Sequence, residues 1–140
     1  MINTPDVTSE PSGPVVLVVD DEDSVVRLAS RALRMEGYRV LEASGGIEAI
    51  KVLDAGTPID LLLTDINMPD IKGHEVARRF RLARPDLKVL YLSGFVDVLF
   101  AERPILWEDE AFLDKPFTIK GLLEAVSLLT SGHLQKRKSA

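Results

Sequence analysis

The sequence contains no cysteine, which excludes disulfide bonds, thiolate metal sites and cysteine nucleophiles. It also lacks any apolar run near the roughly 20 residues that a membrane-spanning helix needs. The N-terminal stretch MINTPDVTSEPSGP has no apolar core, which argues against a secretory signal. Acidic side chains outnumber basic ones, 22 to 17, and the net charge of −5 argues against a nucleic-acid partner. We expect a cytoplasmic protein with neither a membrane nor a nucleic acid as partner.

The 140 residues suit a single folded domain with short ends. Residues 1–14 are rich in proline and small polar side chains, and we expect them to form a flexible leader. The folded domain is predicted over residues 15–133, where a 46% hydrophobic composition can supply a core. Residues 134–140 are expected to form a short basic tail around Lys136, Arg137 and Lys138.

Within the predicted domain, short apolar runs alternate with helical patterns. Val15–Val19 is a β-branched and apolar run typical of a strand buried on both faces, and Leu61–Leu63 and Val89–Leu92 have the same character. Weaker strands are predicted at Tyr38–Ala43 and Ala111–Leu113. Apolar positions at helical spacing predict the intervening helices, which end near Gly37, Gly56, Pro85, Pro104 and Gly132. This alternation indicates an α/β fold in which helices cover both faces of a five-stranded parallel sheet.

The predicted strand ends carry the side chains best suited to chemistry: Asp20, Asp21, Asp65, Ser93 and Lys115. In parallel sheets, ligands bind beyond the carboxyl ends of the strands, so these groups are expected to converge. Neighbouring carboxylates would repel each other by roughly 4 kcal/mol per pair at an effective dielectric constant of about 20. Either a proton is shared or a cation lies among them, and Mg²⁺ suits oxygen ligands. With a hydroxyl and an ammonium nearby, the set predicts phosphoryl transfer to an aspartate.

Each of these residues also has a simpler explanation. The acidic pair at 20–21 is, taken alone, often a polar turn that caps the next helix. Asp65 alone could precede a turn. Lys115 alone is most often a solvated surface charge. Their joint placement at the ends of successive strands is not explained in this way, and it favours the phosphoryl-transfer site.

Four segments resemble the receiver domain of two-component response regulators: VVLVVDDED at 15–23, LLLTDINMPDIKG at 61–73, VLYLSG at 89–94 and AFLDKPF at 111–117. The resemblance extends over most of the predicted folded domain. It implies a flavodoxin-like, doubly wound (βα)5 fold with strand order 2-1-3-4-5. It also implies a phosphoryl acceptor that is not an enzyme, apart from self-phosphorylation and self-dephosphorylation.

The resemblance implies a role for each polar residue at the strand ends. Asp65 matches the phosphoryl acceptor, while Ser93 and Lys115 match the hydroxyl and the ammonium that hold the phosphoryl group. The implied cofactor is Mg²⁺, with these oxygen donors: Asp20, Asp21, Asp65 and the backbone carbonyl of Asn67.

Further positions are implied to modulate that chemistry. Phe112 matches the aromatic switch residue, which turns when Ser93 moves. Asn67 and Phe95 match positions that tune dephosphorylation, and we expect the bulky Phe95 ring, near the path of the hydrolytic water, to slow it. The bond before Pro116 is the candidate cis peptide.

The resemblance implies partners as well. The phosphodonor would be a phosphohistidine on a sensor histidine kinase or on a histidine phosphotransfer protein. A downstream protein would bind the face made by the helix after strand four, strand five and the helix after strand five. A weak homodimer is a further alternative. The chain would act as a single-domain regulator or phosphorelay shuttle, or as an excised receiver of a hybrid kinase.

Two other functions stay open at this point. A receiver fold can serve as an interaction module without being phosphorylated. A small phosphohydrolase of the haloacid-dehalogenase type also uses an aspartate on a parallel sheet, and the stretch Asp21-Glu22-Asp23 mimics its D-x-D motif. However, that family has its nucleophile after strand one and needs a longer chain.

Overall fold

The computed structural model describes residues 13–94 and 109–131. In these ranges, five strands alternate with four helices: β1 (Val15–Val19), α1 (Asp23–Met35), β2 (Arg39–Ala43), α2 (Gly46–Asp54), β3 (Leu61–Asp65), α3 (Gly73–Ala83), β4 (Lys88–Ser93), β5 (Glu110–Asp114) and α4 (Ile119–Ser131). The helix predicted to end near Pro104 lies outside the described residues, as do most of the predicted leader and the basic tail.

All neighbouring strands run parallel, and their order across the sheet is β2-β1-β3-β4-β5. This confirms the predicted fold class and strand order. β3 lies at the centre of the sheet, between β1 and β4, and all five of its residues are buried. Runs of leucine and valine suit such strands because every side chain, on either face, meets an apolar layer.

Successive side chains of the strands point into two apolar layers. One layer contains Leu62 and Tyr91 and is closed by α2 and α3, through residues such as Phe80. The opposite layer contains Leu63 and is closed by α1 and α4, through residues such as Leu33. The strands are therefore held from both faces, which fixes the positions of their carboxyl ends.

Two glycines end the first two helices, as the sequence predicts. Gly37 follows α1 with φ of 98°, and Gly56 follows α2 with φ of 75°. Both values lie in the left-handed region, which glycine adopts without a steric penalty. None of the four described helices has the length and apolar character needed to cross a membrane.

The last two residues of the predicted leader contact the edge of the sheet. The backbone N–H of Arg39, the first residue of β2, donates to the carbonyl of Pro14 (3.1 Å). The guanidinium of Arg39 donates to the carbonyl of Gly13 (3.0 Å). Residues 13–14 thus run beside the start of β2.

Candidate functional site

The carboxyl ends of β1, β3, β4 and β5 meet at one edge of the sheet. Asp20 follows β1, Asp65 ends β3, Ser93 ends β4 and Lys115 follows β5. In the register of β4 with β5, Ser93 pairs with Asp114, the last residue of β5. Lys115 therefore follows β5 next to the end of β4. The parallel sheet itself brings these groups together.

Asp20, Asp21 and Asp65 form a cluster in which one oxygen atom from each carboxylate lies within 4.8 Å of the other two. Asp20 is 0% exposed and Asp65 is 7% exposed, whereas Asp21 is exposed to solvent. The cluster thus combines two buried carboxylates with one that is open to water. Donor sets made only of oxygen suit a hard divalent cation.

Lys115 reaches into this cluster from the end of β5. Its Nζ atom lies 2.9 Å from Oδ2 of Asp20 and 3.4 Å from Oδ1 of Asp65. It also donates a hydrogen bond to Oε1 of Glu22 (3.2 Å). Glu22 is not among the predicted site residues, although its place in the acidic run of residues 20–23 could have indicated it. One ammonium therefore faces several carboxylates.

Burial and mutual repulsion shift the ionisation of the cluster. Burial raises the pKa of Asp65 to about 6, and the charge of Asp20 adds to the increase, while Lys115 opposes it. Burial also raises the pKa of Asp20, against opposing hydrogen bonds from the Glu22 N–H and Lys115. Burial disfavours the charged form of Lys115, but its contacts with Asp20 and Asp65 outweigh this and raise its pKa to about 12. The negative charge of the cluster exceeds what one ammonium balances.

Asp20 also shapes the turn after β1. Its Oδ1 accepts the backbone N–H of Glu22 (2.9 Å), while its Oδ2 faces Lys115. Helix α1 begins at Asp23 without a side-chain cap. The simpler explanation of the acidic pair is therefore correct only in part: Asp20 supports a turn, but the pair does not cap the helix.

The loop after β3 brings Asn67 to the same edge. Asn67 is half-buried and lines an open cleft of about 260 Å³ together with Asp21, Glu22, Asp65, Gly94 and Lys115. The loop is closed where the N–H of Gly73 donates to the carbonyl of Ile66 (2.9 Å). A Cβ atom at Gly73 would overlap the backbone carbonyl of Asp65, so this approach requires a glycine.

Ser93 adjoins the cleft through its backbone. Its carbonyl accepts the N–H of Lys115 (3.0 Å), and the residue is 2% exposed. The described lining of the cleft includes its neighbour Gly94 and not Ser93 itself. Among the described residues other than its chain neighbours, no atom lies within 4 Å of where a Cβ at Gly94 would be.

The remaining predicted positions are not among the described residues that line the cleft. Phe112 on β5 is half-buried against the apolar layer that α2 and α3 close. The peptide bond between Lys115 and Pro116 is cis. Phe95 lies outside the described residues.

A family model described as the response regulator receiver domain matches residues 16–127. The sensor kinase CckA of Brucella abortus is 37% identical over 112 residues, which cover 79% of this chain and 12% of that protein. The response regulator receiver protein CpdR of the same organism is 34% identical over 111 residues, which cover 79% of this chain and 92% of that protein. The chain thus corresponds to a small part of CckA and to nearly all of CpdR.

A solved structure agrees with this match. The response regulator TrrA of Thermotoga maritima, crystallised in complex with Mg²⁺-BeF, superimposes with a TM-score of 0.73 at 33% identity. The superposition covers 84% of this chain and 99% of that one. Sequence motifs, fold and relatives all agree, and the chain therefore belongs to the response regulator receiver domain family of two-component signalling.

Proposed function

We propose that Asp65 accepts a phosphoryl group from a phosphohistidine in the presence of Mg²⁺. The observation that carries the proposal is the buried Asp65 carboxyl, which lies 3.4 Å from the Lys115 ammonium and within 4.8 Å of the Asp20 and Asp21 oxygens. Receiver domains are phosphoacceptors and not enzymes in the usual sense, and family membership removes the phosphohydrolase alternative.

The donor set fits a magnesium ion. The oxygens of Asp20, Asp21 and Asp65 are clustered without nitrogen or sulfur donors, and their charge is not balanced by Lys115 alone. We assign the metal to these three carboxylates and to the backbone carbonyl of Asn67, which lines the same cleft. When bound, Mg²⁺ would neutralise charge on the phosphoryl oxygens. The Mg²⁺-BeF complex of TrrA supports this assignment.

In the proposed step, an oxygen of the Asp65 carboxylate attacks the phosphorus of the phosphohistidine. A P–O bond forms, the P–N bond breaks, and the leaving imidazole keeps the electron pair and takes up a proton. Lys115 is placed to hold a phosphoryl oxygen, since its Nζ already lies beside the Asp65 carboxylate. The Ser93 hydroxyl would donate to another oxygen after a small movement from its buried position.

Phosphorylation would then bias a two-state switch. Movement of Ser93 toward the phosphoryl group would open space into which Phe112 can turn, since both residues lie on adjacent strands. The partner-binding face would include β5, α4 and the helix predicted between β4 and β5. That predicted helix lies outside the described residues. The weak homodimer and the cytoplasmic location stay predictions.

The proposed donor is a sensor histidine kinase or a histidine phosphotransfer protein, since receiver domains act with such partners. Loss of the phosphoryl group would occur by attack of water, and the resemblance implies that Asn67 and Phe95 tune this step. If the Phe95 ring hinders that water, Phe95→Ala should shorten the half-life of the phosphorylated protein. An unchanged half-life would remove this role for Phe95.

Intact mass after incubation with acetyl phosphate tests the proposal. We expect a Mg²⁺-dependent gain of about 80 Da, one phosphoryl group. The gain should be absent in Asp65→Asn and present in Asp54→Asn, a matched change at the end of α2. If acetyl phosphate does not phosphorylate the protein but beryllofluoride binds with Mg²⁺, the chain is a receiver that accepts only particular phosphodonors. If neither reacts, the chain is an interaction module and the proposal is wrong.

A further inference from the structure

The carboxylate of Asp70, in the loop between β3 and α3, caps helix α2 from outside that helix. Its Oδ1 accepts the N–H of Gly46 (3.1 Å) and its Oδ2 accepts the N–H of Ile47 (2.9 Å). These are N–H groups of the first turn of α2, which have no acceptor within the helix. Oδ1 also accepts the N–H of Ile71 within its own loop (2.7 Å).

Charge and packing both favour this contact. Burial alone would raise the pKa of Asp70, but the backbone N–H groups of Ile47, Ile71, Gly46 and Asp70 itself hold it below its usual range, so the carboxylate is charged at neutral pH. A carboxylate also suits the positive end of the helix dipole. The pair Gly45-Gly46 permits the approach, since a Cβ at Gly46 would lie 2.6 Å from Cβ of Ile71.

The same loop carries the proposed magnesium ligand Asn67. The loop is fixed at its base by the Gly73–Ile66 hydrogen bond and by Met68, which is buried in the core. Its outer part, beyond Pro69, is tied to α2 through Asp70. Two anchors thus flank Asn67, which lines the cleft.

We propose that Asp70 is a positioning residue for the metal site: by capping α2 from the β3–α3 loop, it holds the Asn67 carbonyl in place for Mg²⁺. This inference rests on the proposed function, because it requires that Mg²⁺ binds at Asp65. Asp70 is not among the proposed metal ligands. It acts indirectly, by orienting a residue that binds the metal.

The coupling must act in both directions. If the Asp70 contact favours metal binding, bound Mg²⁺ must in turn favour the contact. We therefore expect the backbone amide signals of Gly46 and Ile47 to shift when the wild-type protein is titrated with Mg²⁺, and to shift less in Asp70→Ala.

The decisive experiment is calorimetric titration of the unphosphorylated full chain with MgCl₂ at physiological ionic strength. For Asp70→Ala we expect Kd to rise about tenfold, the lower end of what loss of an outer-shell partner costs. Asp70→Asn should give a smaller increase, since its amide oxygen can still accept hydrogen bonds in place of one of the two carboxylate oxygens.

Glu48→Ala is the matched control. Glu48 accepts the N–H of Ser44 (2.7 Å) at the same end of α2, so its loss removes one charge and one local cap without touching the β3–α3 loop. We expect its Kd to stay within twofold of wild type. An unchanged Kd in Asp70→Ala, or an equal rise in Glu48→Ala, would overturn the inference. Absence of Mg²⁺ binding by the wild-type chain would instead overturn the proposed function.

Discussion

The ammonium of Lys115 lies 3.4 Å from the carboxylate of Asp65, and the two residues come from the ends of different strands. The same ammonium lies 2.9 Å from Asp20 and is only 19% exposed. Since one half-buried ammonium contacts several carboxylates, removal of any one of these groups changes the ionisation of the others.

Replacement of Lys115 by methionine removes the charge and keeps the apolar stem. In EDTA at pH 7.5, we expect the free energy of unfolding to fall by about 2–4 kcal/mol, because Asp20 and Asp65 lose their buried counter-ion. Urea denaturation measures this change. Lys51→Met, at an exposed position of α2, is the control and should change stability by less than about 0.5 kcal/mol. Equal stabilities of wild type and Lys115→Met would contradict the expectation.

Asp65 should destabilise the metal-free fold at neutral pH. Its pKa is about 6 in the folded protein against an ordinary value of 3.8, so the folded state binds a proton more readily than the unfolded chain. Its favourable contribution is complete below the ordinary pKa and is lost as the pH rises through about 6. In EDTA at pH 7.5, Asp65→Asn should therefore be more stable than wild type by about 1–3 kcal/mol.

Urea unfolding of both proteins at a series of pH values measures this difference. It should shrink as the pH falls towards 4, where the wild-type carboxyl is protonated in the folded state. If the stability difference between the two proteins grew on acidification, burial would not raise the pKa of Asp65.

Gly73 sets the closure of the β3–α3 loop. In Gly73→Ala the new methyl group would overlap the Asp65 carbonyl and lie 3.1 Å from Cα of Ile66, so the backbone must shift. We expect a loss of at least about 2 kcal/mol in thermal or urea unfolding, together with slower phosphorylation. Gly94→Ala adds the same methyl group at the cleft, where no described atom outside its chain neighbours lies within 4 Å, and it should unfold within about 0.5 kcal/mol of wild type. Similar losses in both variants would contradict this reasoning.

A buried polar contact joins the last two strands. The Tyr91 hydroxyl on β4 donates to Oε2 of Glu110 on β5 (3.1 Å), and Nε of Arg81 lies 3.8 Å from the same oxygen. Removing the hydroxyl in Tyr91→Phe should lower the free energy of unfolding by about 1–2 kcal/mol, because a buried carboxylate loses a donor. Tyr38→Phe, at a half-buried ring, is the control, and a larger loss there would contradict the expectation.

The central strands could be located from their apolar runs, which are typical of strands covered on both faces. Val15–Val19 is observed over the predicted residues, whereas β3 extends two residues beyond Leu63 and β4 extends one residue beyond the prediction at each end. The edge strands differ from the prediction by a similar margin. β2 begins at Arg39 instead of Tyr38, because the Tyr38 N–H donates to the carbonyl of Leu33 at the end of α1 (3.1 Å). β5 extends one residue beyond the prediction at each end, where Glu110 and Asp114 pair with β4.

At the site, position along a strand was enough to predict which groups meet at the sheet edge. The contacts among them depend on side-chain conformation, so the acidic run of residues 20–23 could indicate Glu22 as a site residue but not its pairing with Lys115. The capping of α2 by Asp70 joins residues that are 23 and 24 positions apart. Local patterns identify a helix start near Gly46, but they do not reveal a cap that comes from another loop.

The central position of β3 has a consequence for how the domain opens. β3 is hydrogen-bonded to a neighbour on each side, and every residue in it is buried. In the described part of the sheet, β5 has one neighbour and is half-buried over three of its five residues. Exposing β3 to solvent requires global unfolding, whereas β5 can separate by a local fluctuation of lower free energy. The proposed acceptor Asp65 thus lies in the strand that is hardest to expose, and the strand that carries Phe112 can open without exposing it.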